Sequence, residues 1–153
     1  MIEEIAGSDT RRLERAVTVV IPAYNEGDHV AQQVRDVQTT LAATGWLFEV
    51  IVVDDGSRDA TATEADSTGA LVLRRLENRG YGAALKLGIS RAKYDWILIT
   101  DADGTYPVAA IPALLAEADR NEMVIGGRLG ANVAIPLIRR PAKWFLNRLA
   151  GVQ

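Results

Sequence analysis

Apolar runs and helix-spaced apolar positions alternate along the chain. Ala16 to Ala23 (AVTVVIPA) is a nearly continuous, β-branched run, the pattern of a strand buried on both faces. Asn25 is placed to cap a helix, and Val30, Val34, Val37 and Leu41 follow at helical spacing until Gly45. Phe48 to Val53 (FEVIVV) predicts a second buried strand, stopped by Asp54-Asp55-Gly56-Ser57. Ser57 or Asp59 then caps a short helix reaching about Ser67. Ala70 to Leu76 reads as a third strand, and Tyr81 to Ala92 as a helix with Leu85, Ile89 and Ala92 on one face. Tyr94 to Thr100 (YDWILIT) predicts a fourth strand that ends in Asp101-Ala102-Asp103-Gly104. Pro107 suits a helix start, continued by Ile111, Leu114, Leu115 and Ala118, and Met123 to Ile125 reads as a short fifth strand.

Strands alternating with helices imply an α/β fold with a mostly parallel sheet covered by helices on both faces. In open sheets of this kind, ligands bind beyond the carboxyl ends of the strands. The polar stretches Pro22 to Glu26, Asp54 to Ser57 and Asp101 to Asp103 each follow a strand, so three strand ends should converge on one crevice.

Composition changes this picture little, and charge changes it at one end. The 153 residues are 48% hydrophobic and 24% charged, an ordinary globular balance, and the net charge of −3 gives no reason to expect nucleic acid as a partner. From Arg128 to Gln153, however, there are five basic residues and no acidic one, which leaves −8 on the remainder. Cysteine is absent, which excludes disulfides and thiolate metal sites, and a single histidine, His29, argues against a histidine-based zinc centre. Met1 to Arg15 is charged and lacks the apolar run of a signal peptide, and no stretch approaches the roughly 20 apolar residues that span a bilayer. The expected location is cytoplasmic.

Asp101 and Asp103, one residue apart in a still-extended segment, point to the same side. Such hard oxygen donors suit Mg²⁺ or Mn²⁺ shared with substrate phosphates, although an acidic turn satisfying its own backbone N–H groups would look the same. Asp54 and Asp55 form another acidic pair, fit to accept from a nucleobase or ribose or, again, to serve turn and cap chemistry. Side by side they repel, so one of them needs a donor or a raised pKa. Asn78-Arg79-Gly80-Tyr81-Gly82 opens a helix, where glycines such as Gly82 let backbone N–H groups approach a phosphate or ribose. Lys86, one turn in, reaches a phosphate or stays a solvated helix lysine. The third glycine of a dinucleotide fingerprint is missing, since Ala84 and Leu85 stand there. Tyr24, Asn25 and Glu26 could line a base pocket, and His29 reads as a polar helix residue.

Together, IPAYNE, VIVVDDGSRDAT, the glycines of NRGYGAALKLG, DADGTYP and GGR resemble family-two glycosyltransferases of the GT-A fold. The order and spacing of these pieces look most like the polyprenyl-phosphate (dolichol-phosphate-type) mannosyl- and glucosyltransferase branch. The resemblance covers roughly Val17 to Arg128. It implies a Rossmann-like sheet, incomplete at the C-terminus, in a nucleotide-sugar-binding unit over residues 16–130. Residues 1–15 would be a polar extension and 131–153 a basic segment of the same unit. It further implies that Pro22, Ala23, Tyr24 and Glu26 hold the base and ribose of a UDP- or GDP-hexose, with Asp55 or Asp54 on the base. Asp101, Ala102 and Asp103 would hold the diphosphate, with Asp101 and Asp103 on the metal. Arg128 would meet the acceptor or donor phosphate, and Asp103 and Arg128 would be the catalytic pair. The implied reaction is inverting transfer to a polyprenyl phosphate. Where the branch often carries Gln two residues after the second metal Asp, this chain has Thr105.

Ile135 to Ala150 (IPLIRRPAKWFLNRLA) mixes Trp144, Phe145 and Leu149 with Arg140, Lys143 and Arg148. That composition suits a membrane surface, a helix packed on the sheet, or a homo-oligomer contact. The membrane reading agrees with a lipid acceptor and a peripheral position at the inner face. Two other functions fit parts of the pattern: a truncated glycosyltransferase-fold module that binds donor without turnover, and a nucleotidyltransferase. The latter is disfavoured because its glycine- and basic-rich first loop is replaced by the acidic PAYNE.

Overall fold

The computed structural model describes residues 15–118 and 120–127. The elements are β1 (Ala16–Ala23), α1 (Val30–Ala42), β2 (Leu47–Asp54), α2 (Thr61–Asp66), β3 (Leu71–Arg74), α3 (Tyr81–Ser90), β4 (Trp96–Ile99), a 3₁₀ turn (Val108–Ala110) and α4 (Ile111–Ala118). The four strands form one parallel sheet in the order β3-β2-β1-β4. β1 is central and buried along its whole length, as its unbroken apolar run requires.

Alternation along the strands divides the core into two layers. Val17, Val19 and Ile21 of β1 and Val50 and Val52 of β2 meet Val30, Val34, Val37 and Leu41 of α1, with Ile111 and Leu115 of α4. The four apolar residues of α1 are fully buried, each contributing roughly 1.5–3 kcal/mol relative to exposure. Val20, Ile51 and Val53 face the other way, onto Ala84 of α3. Here α3 lies close to the sheet at Gly88, where a Cβ would stand 2.4 Å from Val20 Cγ1 and 3.1 Å from Val53 Cγ2. Beneath the sheet's other end, Thr18 donates to Glu49 at 2.6 Å and accepts from Tyr94 N at 3.1 Å, fastening the start of β4 to β1 and β2.

The structure departs from the sequence pattern at several places. Met123 to Ile125 is not a strand: the segment has no ladder partner among the described residues, and Met123 and Ile125 are each 75% exposed. An apolar run of three does not make a strand without a neighbour to pair with. β3 stops at Arg74, because Arg75 turns inward to Asp55 while Leu76 points fully into solvent. Arg74 pairs instead with Asp66 on the exposed surface. Asn25 does not cap α1, which begins at Val30 with His29 at its cap; Asn25 has φ 55° and turns the chain in the loop before the helix. Neither Ser57 nor Asp59 is the cap of α2, which is Ala60, but Asp59 Oδ1 accepts from the first-turn Thr61 N at 3.0 Å. The basic segment 131–153, Arg128 and nearly all of residues 1–15 lie outside the described residues.

Candidate functional site

β1 leads to β2 and β3 on one side of the sheet and pairs with β4 on the other, so the strand order reverses beside β1. A crevice is expected where adjacent strands send their connections in opposite directions. A cleft of about 330 Å³ opens there. The end of β1 supplies Pro22, Ala23, Tyr24 and Glu26, the end of β2 supplies Asp55, and the end of β4 supplies Asp101, Ala102 and Asp103. The turn into α3 adds Asn78, Gly80, Tyr81 and Ala84.

Two loops on the β1 and β2 side are stitched to each other. Asn25 N donates to Ser57 Oγ at 2.9 Å, and Arg58 N donates to Asn25 Oδ1 at 3.0 Å. Glu26 N donates to the buried Thr61 hydroxyl at 2.8 Å, and Gly27 N to Asp59 Oδ2 at 3.0 Å. Thr61 Oγ1 also donates to Asp59 Oδ1. These bonds depress the Asp59 carboxyl below its ordinary pKa, with the Thr61 hydroxyl the largest cause. The left-handed backbone at Asn25, a conformation Asn tolerates better than most residues, lies between the two cleft residues Tyr24 and Glu26.

Asp54 and Asp55 have separate environments. Asp54 is buried, accepts from Ser57 N at 3.0 Å and does not line the cleft. Asp55 is 3% exposed and accepts from Arg79 N at 3.1 to 3.2 Å on both oxygens and from Gly80 N at 2.7 Å. Arg75 Nη1 stands 3.0 Å from Asp55 Oδ1. That contact is one of charge, since this nitrogen has no aligned hydrogen-bond acceptor among the described residues. Both acids of the pair have therefore found donors. Gly56 makes the adjoining turn at φ 78°, with the backbone of Glu77 only 2.7 Å from where a Cβ would be.

On the β4 side, Ala102 is buried in the core, whereas Asp101 and Asp103 border the cleft. Tyr81 donates its hydroxyl to Asp101 Oδ1 at 3.1 Å. Burial, followed by this bond and the charges of Asp101 and Tyr106, raises the Tyr81 pKa to about 12, so the phenol stays a donor. Thr105 N donates to Asp103 Oδ1 at 2.9 Å. Hydrogen bonds from the Thr105 hydroxyl and then its N–H hold the Asp103 carboxyl below the usual carboxylate range. Thr105 thus serves Asp103 in an acidic turn. Among the described residues no cluster of three or more His, Cys, Asp or Glu is placed to hold a metal. Two carboxylates on a cleft nonetheless fit Mg²⁺ or Mn²⁺, which take one or two carboxylates and complete their shell with phosphate oxygens and water.

The structure therefore gathers Pro22, Ala23, Tyr24, Glu26, Asp55, Asp101, Ala102 and Asp103 around one space. Asp54, Gly82 and the exposed Lys86 lie outside its lining, and Gly82 has no close neighbour that would need a glycine. Sequence reasoning assigned no role to Arg75 or to the side chain of Tyr81. Nothing local marks Arg75, whose partner is twenty residues earlier. Tyr81 is legible only as the first residue of a helix that follows a glycine turn.

A parallel α/β sheet with a cleft at its switch point is of the class whose ligands bind beyond the carboxyl ends of the strands. The profile of the glycosyl transferase family 2 matches residues 18–151, and the chain belongs to this family. The undecaprenyl-phosphate 4-deoxy-4-formamido-L-arabinose transferase of Klebsiella pneumoniae subsp. pneumoniae is 37% identical over 141 residues, covering 88% of this chain and 43% of that protein. The Pseudomonas fluorescens protein of the same name is 35% identical over 145 residues, covering 89% and 43%. The crystal structure of glucosyl-3-phosphoglycerate synthase from Mycobacterium tuberculosis with Mn²⁺, UDP and glucosyl-3-phosphoglycerate superposes with a TM-score of 0.61 at 26% identity, covering 87% of this chain and 53% of that one. The sheet is thus of the GT-A type. The chain spans less than half the length of these curated relatives.

Proposed function

We propose that the cleft binds a UDP- or GDP-hexose with Mg²⁺ or Mn²⁺, and that the protein transfers the hexose, with inversion, to a polyprenyl phosphate. The observation that carries this reading is the meeting of three strand ends at the switch point, with Asp101 and Asp103 on the same cleft as Tyr24 and Glu26. The names of the relatives favour a lipid-phosphate acceptor, and the Mn²⁺ and UDP of the structural neighbour favour a metal and, of the two bases, uracil.

Pro22, Ala23, Tyr24 and Glu26 take the nucleoside side, and Asp101 and Asp103 take the diphosphate side with the metal. When bound, the ion neutralises charge on the nucleoside diphosphate leaving group. Tyr81 keeps its proton and steadies Asp101, and Thr105 keeps Asp103 ionised. A phosphate acceptor is already anionic near pH 7 and needs no general base from the protein. Arg128 meets one of the phosphates in this scheme. Among the described residues no helix is long and apolar enough to cross a membrane, and the scheme places the protein peripherally at the inner face.

Calorimetric titration with UDP, GDP, UDP-glucose and GDP-mannose, each with Mn²⁺ and with EDTA, tests the donor site. Metal-dependent affinity for one base is expected, and no affinity for any of them sinks the reading. Incubation with labelled donor and undecaprenyl phosphate then separates an enzyme from a donor-binding module without turnover.

A further inference from the structure

We infer that Gln33, on α1, is the positioning residue of the turn that carries Asp101 and Asp103: its buried amide holds the inward side of a segment whose outward side presents the two carboxylates. The inference rests on the donor-cleft reading above. It adds to that reading a residue that lines no part of the cleft.

Helical spacing puts Gln33 on the core face of α1, one turn after Val30 and one turn before Val37. That face is otherwise apolar, with Val30, Ala31, Val34, Val37 and Leu41 buried, yet Gln33 is only 5% exposed. Burying an amide costs free energy that an apolar side chain would not incur, unless partners replace its water. Gln33 Nε2 donates to Thr100 Oγ1 at 3.4 Å, and Thr100 is buried as well. Its Oε1 lies against Gly104, 3.8 Å from where a Cβ would stand. Thr100 immediately precedes Asp101, and Gly104 immediately follows Asp103. One side chain therefore meets both ends of the segment that presents the carboxylates.

Within that segment the residues alternate. Thr100 and Ala102 are buried, whereas Asp101 and Asp103 border the cleft. Ala102 belongs to the same core layer as Val30 and Val34 of α1. The helix thus backs the turn with apolar packing at its middle and with one amide at its two ends. Apolar packing has no direction, whereas a hydrogen bond fixes an orientation. The carboxylate side chains can then adjust to a ligand while the backbone they reach from stays fixed. α1 also begins where the nucleoside loop ends, since His29 N and Val30 N donate to Glu26 O at 3.0 and 2.9 Å. Losing the amide should leave the core intact and loosen the backbone that carries the metal ligands.

The whole chain is titrated with Mn²⁺ and inorganic pyrophosphate, which carries no base, and with Mn²⁺ and UDP. The forms compared are wild type, Gln33→Met, Thr100→Val and the double variant, each beside a thermal melt. Met keeps the length of Gln and Val the shape of Thr. Each single variant strands one buried partner, whereas the double variant replaces both by apolar groups, a change that can be nearly neutral in stability. Groups that orient a metal ligand are typically worth 10- to 100-fold in affinity. All three variants are expected to weaken pyrophosphate and UDP by the same factor, about tenfold, with no larger loss in the double variant than in either single one. The double variant should melt close to the wild type and still bind weakly, a split that separates positioning from packing. The wild type supplies an arm that needs no variant: the Gln33 side-chain NH₂ resonances should exchange slowly with water and shift when Mg²⁺ and pyrophosphate bind. Four results overturn the inference: unaltered affinity in Gln33→Met, affinity that recovers with stability in the double variant, weakened UDP beside undiminished pyrophosphate, or NH₂ resonances indifferent to Mg²⁺ and pyrophosphate. A wild type that binds neither ligand brings down the donor-cleft reading itself, and this inference with it.

Discussion

On the β1 and β2 side of the cleft, loops distant in sequence are bonded to each other: Asn25 to Ser57 and Arg58, Glu26 to Thr61, Gly27 to Asp59, and Asp55 to the turn before α3. On the β4 side, Asp103 is tied to Thr105 two residues away, and Asp101 receives one hydroxyl from Tyr81. The first side is held by many long-range bonds, and the carboxylates of the second by one bond across the chain, Tyr81 to Asp101, and one local turn at the exposed Asp103. A nucleoside needs a fixed outline, since its recognition depends on shape. A metal and diphosphate complete their own coordination and tolerate ligands that adjust. The difference also separates stability from function: changes on the stitched side should disturb both, and changes on the β4 side function alone.

Asp103→Ala is the sharpest test of that division. It should abolish metal-dependent donor binding, a loss of about a hundredfold or more given that even outer-shell metal partners are worth 10- to 100-fold. The melting temperature should barely change, because Asp103 is exposed at a strand end. Titration with Mn²⁺ and UDP beside a thermal melt reads both, and unaltered affinity would refute the metal assignment. On the stitched side, Thr61→Val keeps the shape of a fully buried residue but removes the partner of Glu26 N. It should cost about 1–3 kcal/mol of stability by urea denaturation and also weaken UDP binding. Gly88→Ala, one turn of α3 beyond the cleft-lining Ala84, should cost about 1–3 kcal/mol through overpacking against Val20 while leaving the nucleotide affinity of the folded protein intact. If UDP binding fell with it, strain at Gly88 would be reaching the cleft through Ala84, which belongs to both that layer and the cleft lining.

The smallest effect is expected from pH. The Asp59 carboxyl is held below its ordinary pKa, so its contribution to stability is present above the unfolded value of about 3.9 and fades as pH falls through the folded value. Urea midpoints of wild type and Asp59→Asn should therefore differ at pH 7 and converge at strongly acidic pH. The gap should be modest because Asp59 is exposed and solvent screens it. A gap that persists unchanged into acid would show that the carboxylate's charge is not what ties the loops.

The fold was legible where apolar runs were long. AVTVVIPA could be buried only at the centre of a parallel sheet, and it lies there. The converging acids were legible because strand ends in such sheets gather by topology. What escaped depends on contacts across the chain. Asn25 carries the composition of a cap, and only the presence of Ser57 and Arg58 opposite it explains its use as a left-handed turn. Met123 to Ile125 has the apolar pattern of a strand without a neighbour to pair with among the described residues. Arg75 looks like any surface arginine beside Arg74, and only folding puts it against Asp55.

Arg74 and Arg75 are adjacent, yet their ion pairs lie on opposite sides of the solvent boundary: Arg74 with Asp66, both about half exposed, and Arg75 with Asp55, both nearly covered. Dissolved electrolyte screens the first and barely reaches the second, since mobile ions do not penetrate the packed interior. The scaffold of the cleft should therefore be indifferent to ionic strength. Any salt dependence measured for nucleotide binding can then be ascribed to the charges of the ligand and of the open carboxylates.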